Sequence, residues 1–263
     1  MPFNKRKAFG QHFLKDASVI RAIVEATQQA LAAAPGSTLL EVGPGEGAIT
    51  RPLIQALPLE QPIVLAERDR ELIEFWRGES RVINIFEGDF AAIDSSQIRE
   101  LKKLVVVSNL PYSAGTAIVV KLAEMGDVIS EMILMFQAEV AQRLYAEPST
   151  PDRGSLSLYI QNEWDVEPVI EAPPEAFSPP PKVWSEVIRL RRRDLPRVDV
   201  STAEKRALWN QLLKSAFQHR RKMLRGNLTA APFQAALQKS GVDPTKRAES
   251  LIWDEWIQIW GAL

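Results

Sequence analysis

Apolar and polar residues over the first 145 positions alternate between two regimes. Short, β-branched apolar runs occupy 38–43 (TLLEVG), 63–67 (IVLAE), 81–88 (RVINIFEG), 104–109 (LVVVSN) and 132–136 (MILMF). Stretches of helical length separate or follow them, at 48–57, 69–76, 116–125 and 138–145. Strand–helix alternation of this kind predicts a parallel sheet with helices on both faces. The runs are continuous rather than period-two, as strands covered on both sides require.

After Pro148 the pattern changes. The stretch SLSLYIQNEWDVEPVIEA has period-two character and predicts antiparallel strands at one end of the sheet. The triple proline 179–181 predicts an extended loop, and 183–190 a further strand. The segment 193–200, with Pro196, reads as a boundary between a domain over 1–195, basic N-terminal arm included, and a second over 196–263. The second reads as helical. Leu208, Leu212, Ala216, Phe217 and Leu224 mark one helix over 202–225 that stops at Gly226-Asn227 and places Lys214, Arg221 and Arg225 on one face. Trp253, Trp256 and Trp260 read as a packed stripe of a last helix.

Composition narrows the chemistry. There is no cysteine, which excludes disulfides, zinc–thiolate sites and thiol nucleophiles. The two histidines, His12 and His219, cannot make a histidine-rich metal site, so no metal is expected. No apolar run approaches the ~20 residues of a bilayer span and no secretory signal opens the chain, so a soluble, cytoplasmic protein without a membrane partner is expected. A monomer is the expected state, though nothing in the sequence fixes it. Formal net charge is only −1, yet residues 201–247 carry ten Lys/Arg against two acids. The N-terminal 16 residues and the arginines of 189–193 are also basic. Separate basic footholds on an acidic body suit a polyanion. Arg220, Arg221, Lys222 and Arg225 are the candidate residues for binding such a polyanion, a nucleic acid above all.

The first predicted strand runs into Gly43-Pro44-Gly45-Glu46-Gly47 and then a helix. Glycines there let the backbone approach a ligand. The second strand ends in Glu67, twenty residues beyond Gly47, an offset that suits an acid on ribose hydroxyls. The third ends in Glu87-Gly88-Asp89-Phe90, where an acid can accept from an adenine amine. The loop lacks dinucleotide glycine spacing and no hydride-transfer pair accompanies it. S-adenosylmethionine is therefore the expected cofactor and a nicotinamide the weaker alternative. The fourth strand ends in Asn109-Leu110-Pro111-Tyr112. To methylate an exocyclic amine, acceptors must draw its hydrogens aside and free the nitrogen lone pair. An asparagine oxygen and a backbone carbonyl supply two acceptors, and an aromatic ring holds the base. Positioning does most of the rest.

The ordered set GQHFL, EVGPGEGAIT, AERDREL, EGDF, NLPY, FSPPPKV and FQHRRKML, spread over nearly the whole chain, resembles the KsgA-type ribosomal RNA adenine N6,N6-dimethyltransferases. The macrolide-resistance methyltransferases of large-subunit rRNA are similar, but more often carry isoleucine in the tetrapeptide and lack this proline-rich loop. The resemblance implies a Rossmann-like α/β methyltransferase domain with a small C-terminal all-helical domain. It implies dimethylation of two adjacent adenosines in a hairpin near the 3′ end of small-subunit (16S) rRNA, on a ribosome precursor. His12 and Leu14 would border the methionine end of the cofactor, with Gly43 and Gly45 in the glycine loop. Glu67 would take the ribose, Asp89 the adenine amine and Phe90 the adenine ring. Asn109 and the Leu110 carbonyl would hold the target N6, with Tyr112 and Phe177 as its two stacking faces. The chain departs from the family pattern at His12 (usually Asn), Ser113 to Gly115, Ala138 (usually Lys) and Trp184 (usually Asp). A ribosome-assembly factor without catalysis, a large-subunit rRNA methyltransferase and a DNA adenine methyltransferase are the competing readings.

Overall fold

A computed structural model describes residues 12–263. The basic arm before His12 lies outside the described residues. The chain divides into two compact units, residues 1–141 with 166–192, and residues 142–165 with 193–263.

The first unit is built on strands β1 (Phe13–Leu14), β2 (Thr38–Val42), β3 (Ile63–Glu67), β4 (Val82–Glu87), β5 (Leu104–Asn109) and β6 (Ile129–Gln137). Strands β7 (Trp164–Ala172), β8 (Phe177–Ser178) and β9 (Ser185–Arg192) follow. Helices α1 (Ala17–Ala33), α2 (Thr50–Ala56), α3 (Arg70–Arg77), α4 (Ser95–Arg99) and α5 (Gly115–Ala123) connect them, and α6 (Ala138–Tyr145) follows β6. Seven strands form one sheet in the order β4-β3-β2-β5-β6-β9-β7. Strands β4, β3, β2, β5 and β6 are parallel neighbours, and β9 runs antiparallel to β6. The chain winds outward from β2 to β4, then returns to the other side of β2 as β5. Such a reversal leaves a crevice outside the carboxyl ends of the two strands, where open α/β sheets bind ligands. The five expected parallel strands all form, β3 and β5 over the expected residues.

Strand burial explains why the pattern was readable. Every residue of β3 is buried, as are the first five of β5, among helices that cover both faces. Asp16 starts α1 by accepting from the backbone N–H groups of Ser18 (2.8 Å) and Val19 (3.1 Å).

The second unit contains α7 (Ser155–Gln161), α8 (Ala203–Ala216), α9 (Leu224–Asn227), α10 (Ala231–Ser240) and α11 (Trp253–Gly261). Three expectations are corrected here. Residues 155–161 form a helix, not a strand: the Gly154 N–H donates to the Ser157 hydroxyl (3.0 Å), and that hydroxyl donates to the Arg143 carbonyl (2.6 Å). The boundary placed at 195/196 also shifts, because 142–165 belongs with the helical unit. Leu158 packs into its core, Glu163 accepts from Arg206 at 2.6 and 3.2 Å, and the Asn162 side chain bonds both ways with Val198. Finally, α8 stops at Ala216 rather than running to Arg225. The buried Asn227 amide donates to the carbonyls of Ala216 (2.7 Å) and His219 (3.1 Å), which satisfies the helix end. Lys214, Arg221 and Arg225 therefore do not share a helix face. The tryptophan stripe does pack inward, with Trp253, Trp256 and Trp260 all within 6.4 Å of the buried Trp209 ring, centroid to centroid.

Candidate active site

The carboxyl ends of β2, β3, β4 and β5 open on one cleft of the first unit, about 1120 Å³ of non-atom space including its solvent mouth. Gly43 and Gly45 line it with φ of +70° and +54°, the left-handed region that glycine enters without a Cβ penalty. Gly47 serves a different need. A Cβ there would lie 2.7 Å from Cη2 of Trp76, whose indole N–H donates to the Gly45 carbonyl (2.9 Å). Trp76 is buried and braces the loop from behind. Gly47→Ala, with φ +90° besides, is therefore expected to destabilise the protein by about 1–3 kcal/mol or more, read as a lowered thermal unfolding midpoint. An unchanged midpoint would contradict the bracing role.

Glu67 is held by the loop it faces. One carboxylate oxygen accepts from the N–H groups of Arg68 (2.8 Å) and Asp69 (3.0 Å), and the other from Gly45 (3.2 Å). The second oxygen keeps a lone pair for a ligand hydroxyl. Asp89 and Phe90 line the cleft beyond Gly88, whose N–H donates to the Glu67 carbonyl (2.8 Å).

At the end of β5, Asn109 pairs with Met135 of β6, and the Leu110 N–H donates to the Met135 carbonyl (3.2 Å). The Pro111 carbonyl accepts from Ala114 (2.9 Å) and Gly115 (3.0 Å), turning the chain into α5. The Tyr112 hydroxyl shares a 2.7 Å hydrogen bond with the Ser185 hydroxyl, which fixes the ring at the cleft. Burial raises the Tyr112 pKa and the Ser185 bond opposes it, so the phenol stays neutral.

Glu41, which the sequence reading passed over, also lines the cleft. It is buried, and its Oε2 has no hydrogen-bond partner. Burial pushes its pKa from 4.5 up to about 8, the Glu67 charge adds to this, and Thr50 opposes it. Between those values the folded chain keeps a proton that the unfolded chain has lost. Stability should therefore fall as pH rises through this window, by up to about 1.4 kcal/mol per pH unit. Urea unfolding from pH 5 to 8 should show this slope in the ligand-free protein, and Glu41→Gln should flatten it. An equal slope in both proteins would exclude Glu41 as its source.

The sequence profile described as ribosomal RNA adenine dimethylase matches residues 2–263. The chain belongs to this family. Two relatives named ribosomal RNA small subunit methyltransferase A are similar to this dimethylase over most of both lengths. That of Chromobacterium violaceum is 39% identical over 257 residues, covering 97% of this chain and 94% of the relative. That of Dechloromonas aromatica is 37% identical over 256 residues, covering 97% and 96%. Among solved structures, a dimethyladenosine transferase from Plasmodium falciparum matches with a TM-score of 0.71 at 20% identity, over 94% of this chain and 96% of that one. The 23S rRNA methyltransferase ErmE matches with a TM-score of 0.67 at 24% identity, over 95% and 99%. These two likenesses bear on the fold, which is the Rossmann-like α/β methyltransferase architecture.

In this dimethylase the cleft gathers His12, Leu14, Gly43, Gly45, Glu67, Asp89, Phe90, Asn109, Leu110, Pro111 and Tyr112 from the expected set. Phe177 is the exception and is corrected. It pairs with Leu14 across β1 and β8, is fully buried in the core, and does not line the cleft. The His12 ring lies 5.5 Å from that of Tyr112, tilted 31°. Its Nδ1–H donates to the Pro179 carbonyl (2.7 Å). In the helical unit Arg220, Arg221, Lys222 and Arg225 are all exposed. Arg220 already donates to the carbonyls of Pro151 (2.5 Å) and Arg153 (3.1 Å) and pairs with Glu249 at 3.3 Å. Much of its donor capacity holds its own unit together. Among the described residues, no helix is long and apolar enough to cross a membrane.

Proposed function

We propose that this dimethylase uses S-adenosylmethionine to dimethylate the N6 amines of two adjacent adenosines, in a hairpin near the 3′ end of small-subunit rRNA, on an assembling ribosome. The observation that carries the reading is the convergence of Glu67, Asp89 and Asn109 to Tyr112 on one cleft, in a chain of this family.

The residues present fit the cofactor. The orphaned Glu41 Oε2 leaves a buried polar atom in the cleft for a ligand to satisfy, and the glycine loop leaves backbone space for it. Glu67 takes a ribose hydroxyl through Oε2. Asp89 accepts from the adenine amine, and Phe90 lies against that ring. When bound, S-adenosylmethionine supplies an electrophilic methyl group on a positively charged sulfur. Asn109 and the Leu110 carbonyl accept hydrogen bonds from the N6 amine of the target adenine, which frees the nitrogen lone pair, and one N6 proton leaves to water for each methyl gained. Tyr112, tethered through Ser185, stacks on the base and sets its plane. Arg221, Lys222 and Arg225 bind phosphates of the substrate rRNA, so subunit affinity falls as salt rises.

The test is transfer of labelled methyl from S-adenosylmethionine to small subunits lacking the dimethylation, to large subunits and to duplex DNA. Product nucleosides are identified by mass spectrometry. N6,N6-dimethyladenosine in the small subunit alone is the expected result. Cofactor and subunit binding with no label in any acceptor would instead make the chain an assembly factor.

A further inference from the structure

The loop that presents Asp89 is tied down by a side chain from another element. Lys121 lies on α5, one turn beyond Ile118, which lines the cleft. Its ammonium donates to the carbonyls of Phe90 (2.8 Å) and Ala91 (3.1 Å), and also to that of Ile93. It stands 5.3 Å above the Phe90 ring. A lysine has three N–H donors, and here all three are spent on one turn of chain.

The loop's other ties come from backbone N–H groups. The Gly88 N–H reaches the Glu67 carbonyl at 2.8 Å, and Ala92 (2.8 Å) and Ile93 (3.1 Å) donate to the Asp89 carbonyl. The Ala91 N–H donates to Asp89 Oδ1 (3.0 Å), which orients the carboxylate and leaves Oδ2 for a ligand. Three carbonyls converging on one point repel one another unless a cation sits between them, so without Lys121 this turn would relax. Burial lowers the Lys121 pKa, while Asp89 and Asp94 pull it back up.

The geometry points to Lys121 as the positioning residue that sets Asp89 and Phe90 for recognition of a 6-aminopurine. This inference rests on the cofactor reading above. Lys121 acts through the loop rather than on the ligand. Its helix begins at Gly115, three residues beyond Tyr112, so the site for the target base and the loop for the cofactor base are referenced to one rigid element.

A residue that only stabilised the fold would, when lost, weaken every ligand alike. A positioning residue for the purine amine changes discrimination instead. The experiment is calorimetric titration of the full chain with S-adenosylhomocysteine and with its inosine analogue, whose 6-oxo group presents an acceptor to Asp89. The wild type should prefer the amino form. Lys121→Met keeps the aliphatic stem and removes the ammonium. It should shrink that preference about tenfold, mainly through weaker binding of the amino form. Lys121→Gln keeps two N–H donors, should fall between the two, and serves if the methionine variant does not fold. Weaker binding of both ligands with the preference intact would overturn the proposal and leave Lys121 a structural role. A wild type that binds neither ligand would remove the cofactor reading itself, and this inference with it.

Discussion

Asn109→Ala should slow methyl transfer about 10²–10³-fold while cofactor affinity stays near that of the wild type. Asn109 is the last residue of β5, and its place is set by main-chain pairing with Met135, which a shorter side chain leaves intact. In the proposed mechanism the substitution removes one of two hydrogen-bond acceptors for the N6 amine. The remaining Leu110 carbonyl cannot orient the amine alone, and the lone pair stays conjugated with the purine ring. Loss of a single preorganised polar group at a reacting centre costs about 10²–10³-fold in rate. Single-turnover methyl transfer to undermethylated small subunits, with calorimetry of S-adenosylhomocysteine beside it, separates the two effects. Full activity in the variant would disprove the mechanism. Loss of cofactor binding in parallel would move Asn109 from the target base to the cofactor.

For Glu67→Ala the pattern inverts, with cofactor affinity carrying the loss. In the proposed mechanism Glu67 offers Oε2 to the ribose, and in the structure it accepts from the N–H groups of Gly45, Arg68 and Asp69. Removing it deletes a charged hydrogen bond to the ribose, worth about 1.5–3 kcal/mol, or on the order of 10- to 100-fold in affinity. It also releases the glycine loop, so the larger figure is expected. Titration calorimetry reads this directly, and an unchanged Kd would remove Glu67 from the site. Since both residues lie at strand ends of one sheet, the contrast between the two variants maps the cleft into a cofactor side and a target side.

Much of the first unit could be read from local pattern because its central strands are covered on both faces. Strands β3 and β5 are nearly continuous in burial, and their apolar runs coincide with the observed elements residue for residue. Residues 155–161 misled the reading because four residues of Ser–Leu alternation fit a strand as well as a helix. What settles the helix is a serine that bonds to Gly154 and Arg143. No element was expected over 17–33, where α1 forms. Its start depends on Asp16 capping two N–H groups, a signal carried by one side chain rather than by a repeating pattern. The end of α8 was misplaced for a similar reason, since its cap comes from Asn227, well beyond the helix itself.

The family, the chemical inventory and the order of the cleft residues along the chain are all legible in the sequence alone. Motifs that end parallel strands reach one edge of a sheet by the rules of strand–helix winding alone. Burial and partnership were not legible, because they depend on which distant segments pack together. Phe177 has the aromatic ring a base would stack on, yet pairing with Leu14 places it in the core. Arg220 belongs to a basic run, yet 69 residues back the Pro151 carbonyl takes one of its donors. Glu41 stands in the expected strand, and only the packing around it leaves one oxygen buried without a partner. Lys121 looks like an ordinary helix lysine until the fold brings the Phe90 turn, 31 residues earlier, over its ammonium. Local pattern specifies which chemical groups arrive at the cleft, while long-range packing sets which of them remain free to act.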